Sequence, residues 1–181
     1  MKLSATYRSR RDIMGKVQKG SAHWDGTRAL DFIADDGGRA AAGYRGRAGD
    51  CVTRSIAIAL CRPYAEVYDA MANGMGTQRK SKGRTARNGV SVTRKWFKDW
   101  MVAQGFTWHP TMSIGSGCTV HLLAGELPPG RLVVSVSGHY TAVIDGVIHD
   151  TYNPTRAVVH QQADGTRRMS HRCVYGYWRL A

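Results

Sequence analysis

At 181 residues and 43% hydrophobic, the chain is long enough for one globular domain with a substantial core, and nothing in it asks for two. Lys and Arg number 26 against 13 Asp and Glu, and the formal net charge of +13 exceeds what solubility requires. An anionic partner is therefore expected, either nucleic acid or an acidic protein surface. No apolar run approaches the roughly 20 residues that span a bilayer, and Met1 to Arg11 lacks the apolar core of a secretory signal. These features predict a soluble, cytoplasmic protein with no membrane partner, whose four cysteines (Cys51, Cys61, Cys118 and Cys173) stay free thiols in a reducing compartment.

Residues 1–44 are rich in Arg, Gly, Ala and Asp and read as a basic, partly ordered N-terminal arm with one short strand at Ala29–Ile33, leaving 45–181 as the domain proper. Tyr44 to Gly49 forms a loop, and Asp50 is placed to cap a helix beginning just after it. From Val52 to Cys61 the only charge is Arg54, so this helix is apolar nearly all round and must be buried, with Cys51 in its first turn. A second helix begins at Pro63 and carries Tyr64, Val67, Tyr68 and Met71 to a stop near Gly74. The stretch from Gly74 to Gly89 is polar and basic, with Arg79, Lys80, Lys82, Arg84 and Arg87, and reads as a mobile loop that could serve as a lid. Ser91 caps a third helix whose Val92, Trp96, Phe97, Trp100 and Met101 form an apolar stripe ending at Gly105. The period then changes. Arg131–Ser137, Tyr140–Ile144, Val147–Thr151 and Cys173–Trp178 are β-rich runs, which predicts an α+β fold with helices first and an antiparallel sheet after them.

A thiol is a useful nucleophile as thiolate, and the first turn of a helix favours negative charge through its unpaired N–H groups and macrodipole. Cys51 holds that position; by itself it could equally be a small buried residue. Asp50 works against ionisation unless its side chain is turned away into the cap. Asp145-Gly146 is a strong two-residue hairpin turn, which sets Ile144 opposite Val147 and Ala142 opposite His149. That register places His139 and Asp150 on one face as diagonal neighbours and sends His149 and Asn153 to the other. A carboxylate beside an imidazole fixes its tautomer and stabilises the imidazolium, so Asp150 is a better third member than Asn153.

Gly49-Asp50-Cys51 heading a buried helix, Gly138-His139 starting a strand and His149-Asp150 ending the next resemble the papain-like cysteine peptidase superfamily. The order Cys, His, Asp is also that of bacteriocin-processing peptidases and transglutaminases. Small bacteriophage proteins carry similar Gly-Asp-Cys and Asp-Gly-Val-Ile-His-Asp blocks, and a phage-encoded chain would act in the host cytoplasm. The resemblance covers Gly49 to Trp178. It implies a helical lobe bearing the nucleophile, a β-lobe bearing the base and a cleft between, with Cys51 as nucleophile, His139 as general base and acid, and Asp150 as its orienter. The activity implied is cleavage of an amide bond by a peptidase or isopeptidase through an acyl-enzyme, without a cofactor. Deamidase or acyltransferase chemistry uses the same residues. One departure from the family stands out: Tyr44 to Asp50 contains no Gln or Asn to hold an oxyanion, which leaves the Cys51 N–H and, unplaced, Gln18, Asn73, Gln78 and Asn88.

Competing constellations are weaker. Cys118-x-x-His121 with His171-x-Cys173 offers two sulfurs and two imidazoles for zinc, but the spacing matches known fingers poorly, and packing is the default for Cys61, Cys118 and Cys173. Cys118 as nucleophile with His121 three residues on lacks a positioned partner from another element. The basic residues from Arg79 to Lys98, with Trp96 and Trp100, could form a nucleic-acid-binding module on a degenerate hydrolase fold. As a loop beside the nucleophile helix, the same charges would instead collect an acidic protein or peptide substrate. No Walker loop or dinucleotide fingerprint is present.

Overall fold

The computed structural model describes residues 15–76 and 85–181. The first fourteen residues, Gln78, and the four cations Arg79, Lys80, Lys82 and Arg84 of the expected basic lid lie outside the described residues. Among the described residues, three helices precede most of the sheet: α1 (Cys51–Leu60), α2 (Tyr64–Gly76) and α3 (Lys95–Ala103). The strands are β1 (Asp31–Ala34), β2 (Phe106–Pro110), β3 (Arg131–Val136), β4 (His139–Ile144), β5 (Val147–Asp150), β6 (Ala157–Gln161), β7 (Arg167–His171) and β8 (Val174–Leu180). Six of them form one sheet in the order β1-β5-β4-β3-β8-β2, and β6 and β7 pair separately. The result is a mixed fold compatible with the α+β expectation.

The hairpin β4–β5 obeys its turn chemistry. Asp145 (φ 47°) and Gly146 (φ 79°) are both left-handed, as a two-residue hairpin turn of this twist requires, and Ile144 pairs with Val147, Val143 with Ile148 and Ala142 with His149. Alternation along β3 then divides the core between two faces. Val133, with Trp178 and Tyr140, joins a cluster that includes Ile56, Val67, Met71, Phe97 and Met101 of the three helices. Leu132, Val134 and Val136 join Val143, Ile148, Leu30, Phe32 and Leu122 in a second cluster.

One expectation needs correction. The sheet is not purely antiparallel, because β1 runs parallel to β5, with Asp31 opposite Val147 and Ala34 opposite Asp150. The short strand expected at Ala29–Ile33 is present as β1; the apolar Leu30 and Phe32 are buried in the second cluster, and β1 supplies a sheet edge.

Helix α1 is buried as its composition requires, with Ile56, Ala57, Ile58 and Ala59 almost inaccessible. It ends where Cys61 turns left-handed and donates its N–H to Ile58 O, while Arg62 N–H reaches Ala57 O. Arg131 of β3 adds a hydrogen bond to Ala59 O (3.1 Å) and fastens the helix end to the sheet. The third helix begins at Lys95, not at Ser91, whose N–H is instead directed at Met75 Sδ.

The α2–α3 contact depends on a missing side chain. A Cβ at Gly74 would lie 2.2 Å from Trp96 Cε3, well inside contact distance. Alanine in a helix interior ordinarily gains about 1 kcal/mol over glycine, but here overpacking of roughly 1–3 kcal/mol opposes it. Urea unfolding should show Gly74→Ala to be neutral or destabilising in the wild-type background, and stabilising when combined with Trp96→Ala.

Candidate active site

Cys51 opens α1 and is half-buried. Its thiol interacts with the His139 ring and with the Tyr140 backbone N–H. His139 is 7% exposed and Asp150 5%, and His139 Nε2 lies 2.6 Å from Asp150 Oδ2. With Nε2 committed to the carboxylate, Nδ1 is the ring nitrogen left for the thiol. The other Asp150 oxygen accepts from Thr151 N–H (2.7 Å) and Thr151 Oγ1 (3.4 Å), and Asp150 O accepts from Asp35 N–H beyond β1 (2.8 Å). The three residues singled out in the sequence are thus brought together, with His139 between Cys51 and Asp150. His149 turns the other way, with Nδ1 3.3 Å from Asp35 Oδ2. Asn153 closes a local turn by accepting from Thr155 N–H and Oγ1.

Burial alone would push the Cys51 thiol up, but the hydrogen bond from His139, the Tyr140 N–H and the charges of His139 and Arg54 outweigh it and hold the thiol below its ordinary range. Burial pulls the imidazole down, and the hydrogen bonds to Asp150 and Cys51 overcome this and raise His139 from 6.5 to about 9. The pair therefore favours thiolate and imidazolium. That is the charge state in which sulfur is a nucleophile and the ring an acid.

Asp50 does not cap α1 with its side chain. It occupies the N-cap position, with its carbonyl accepting from Arg54 N–H (3.0 Å), while its carboxylate, 1% exposed, is turned into a buried charge cluster. Arg39 Nε lies 3.0 Å from one oxygen and Arg54 Nε 2.9 Å from the other, and Tyr64 Oη–H donates to it. Burial, the hydrogen bond to Asp50 and its charge push the Tyr64 phenol upward, so it remains a donor. Arg54 also donates from Nη1 to Thr151 Oγ1 (2.7 Å). One guanidinium therefore joins the helix bearing Cys51 to the residue that holds Asp150. Sequence reasoning missed this cluster; the signal available was Arg54, the lone charge in an otherwise apolar helix.

Of the unplaced oxyanion candidates, Asn88 is brought beside the segment that leads into Cys51, because its backbone bridges in parallel with Gly49, two residues earlier. Gln18 pairs with Phe32 on β1, and Asn73 is exposed on α2. The Cys118 alternative is displaced by a disulfide: Cys118 is bonded to Cys173. This also corrects the expectation of four free thiols, since Cys51 and Cys61 alone stand outside a disulfide among the described residues. Spacing could not reveal the bond, which joins positions 55 residues apart.

Comparisons with known protein families, curated proteins and solved structures find no match to this chain. Its chemistry rests on the residues themselves.

Iodoacetamide should label Cys51 at pH values below the ordinary thiol range of about 8.5, ahead of Cys61. In His139→Ala the labelling midpoint should move upward, because the burial penalty then stands with less to oppose it. Separately, Asp50→Asn leaves two guanidinium groups without their counter-charge and should cost roughly 3–5 kcal/mol in chemical denaturation.

Proposed function

We propose that the protein is a papain-like cysteine hydrolase that cleaves an amide bond, as peptidase or isopeptidase, through an acyl-enzyme on Cys51. The reading rests on one observation: a thiol at a helix start, an imidazole and a carboxylate meet in a row with the thiol held low and the imidazole high. In the forward step the Cys51 thiolate attacks the carbonyl carbon, and the C=O π-electron pair moves to oxygen. The Cys51 N–H in the first turn of α1 is one donor for that oxyanion. Collapse expels the amine, which takes the proton from His139. Water then adds to the thioester, with His139 as base, and the acid product leaves with Cys51 restored. Asp150 holds the ring and stabilises its charge in both halves. A deamidase or acyltransferase would use the same steps with a different leaving group or acceptor.

The binding-module alternative draws less support. Trp96 and Trp100 pack partly buried against the helical cluster, which removes them as stacking platforms for bases. Arg87 is exposed, but its Nη2 is directed at the carbonyls of Arg45 (3.3 Å) and Arg47 (3.2 Å), just before the nucleophile. Arg45, Arg47 and Arg87 favour an acidic peptide substrate approaching Cys51 from this side. No helix among the described residues is long and apolar enough to cross a membrane.

The test is hydrolysis of small esters and of acidic peptides. Cys51→Ala should abolish thiol-dependent turnover while thermal melting shows the fold retained. Asp150→Asn should slow kcat on the order of 10²–10⁴-fold, and Asn153→Ala should leave it near wild type. Equal effects of the Asp150 and Asn153 changes would overturn the assignment.

A further inference from the structure

A second convergence of chemistry-bearing side chains lies away from Cys51, around the Cys118–Cys173 disulfide. His121 bridges to Cys173 in an antiparallel pair, which sets their side chains on the same face as close neighbours. His171 lies two residues before Cys173, and its ring is 6.1 Å from that of His121. The His171 side chain is only 8% exposed. Its Nε2 is occupied by Asp25 Oδ2 (3.1 Å) and Thr27 Oγ1 (3.2 Å), and its Nδ1 is buried with no hydrogen-bond partner. On His121, Nδ1 is directed at Glu126 Oε2 (3.2 Å). Each imidazole is thus oriented by a carboxylate on one nitrogen and presents the other. Metal-ligating histidines are ordinarily held in this way. A buried, unpartnered ring nitrogen costs free energy unless something pairs with it in another state.

In the disulfide form, no group of three or more His, Cys, Asp or Glu among the described residues can hold a metal ion. The sulfurs are consumed by each other. We propose that reduction of Cys118–Cys173 converts this place into a Cys₂His₂ zinc site, with the two thiolates, the His171 Nδ1 and the His121 Nε2 as ligands. Two electrons from a dithiol reductant, which itself becomes a disulfide, and two protons yield two thiols; Zn²⁺ then displaces both thiol protons to solvent. Zinc bonds of about 2.3 Å to sulfur and 2.0–2.1 Å to nitrogen would draw together the four side chains that the His121–Cys173 bridge, the disulfide and the neighbouring rings set in one place. The disulfide and the metal are alternative ways of tying Cys118 to the start of β8, so the link survives in oxidising and reducing surroundings alike. Asp25, Thr27, Glu126 and the His23 ring, 5.3 Å from His171, are the polar groups facing the two imidazoles.

The experiment uses the full chain carrying Cys51→Ala, so that the thiol beside His139 cannot bind the metal. The protein is reduced anaerobically with a phosphine, freed of reductant, and titrated with Co²⁺ and then Zn²⁺. The reduced form should take up one equivalent of cobalt, with tetrahedral d–d bands and thiolate-to-cobalt charge transfer that zinc displaces; the disulfide form should show neither. His121→Ala and His171→Ala should each weaken zinc binding by at least about tenfold and change the cobalt spectrum. If reduction loosens the fold, zinc should restore the near-ultraviolet circular dichroism. Equal metal uptake by the disulfide form, a cobalt spectrum unchanged in both histidine variants, or a reduced chain that zinc neither binds nor refolds would overturn the proposal. None of these readouts depends on hydrolysis.

Discussion

The structure hangs on a carboxylate that water does not reach. Asp50 is 1% exposed, and an isolated charge in such a place would cost several kcal/mol after relaxation. It is tolerated because Arg39, Arg54 and Tyr64 surround it, and each comes from a different part of the chain. Arg39 belongs to the segment after β1, Arg54 to α1 and Tyr64 to α2. Removing the charge would leave two cations stranded, so the cluster specifies how three segments meet more than it adds net stability. Because Asp50 and Cys51 are adjacent, the place where those segments meet is also the place where the thiol must sit.

Electrostatics at the site then obey a simple division of labour. The helix start and the imidazolium favour the thiolate, while the Asp50 charge is absorbed by two guanidinium groups and so does not oppose it. Arg54 serves both sides, since it pairs with Asp50 and also donates to Thr151, whose N–H in turn steadies Asp150. A carboxylate next to a cysteine whose thiolate is favoured looks unfavourable in the sequence. Its burial among cations explains how the two can be neighbours.

What was legible in the sequence was local. Asp145-Gly146 dictates a hairpin, the hairpin dictates a register, and the register brings His139 against Asp150; each step depends on residues a few positions apart. Helix α1 was legible because its composition leaves no side for water. Distant relations were not. The parallel pairing of β1 with β5, the Arg39–Asp50 ion pair and the Cys118–Cys173 bond all join residues that no short-range rule connects. β2 was missed because Thr107, Trp108 and Pro110 are exposed and break the alternation of a half-buried strand. β6 and β7 were missed because Gln161, Arg167 and Arg168 are polar and exposed, and their pairing buries little.

The parallel alignment of β1 with β5 also bears on timing. β1 is made early in synthesis, yet its partner strand lies more than a hundred residues later, and such a pairing must wait for loop closure across nearly the whole domain. The β4–β5 hairpin can form by itself in microseconds. Until β1 docks beside it, Asp35 cannot donate to the Asp150 carbonyl. The brace that β1 gives to the row of thiol, imidazole and carboxylate therefore waits until β5 has been made.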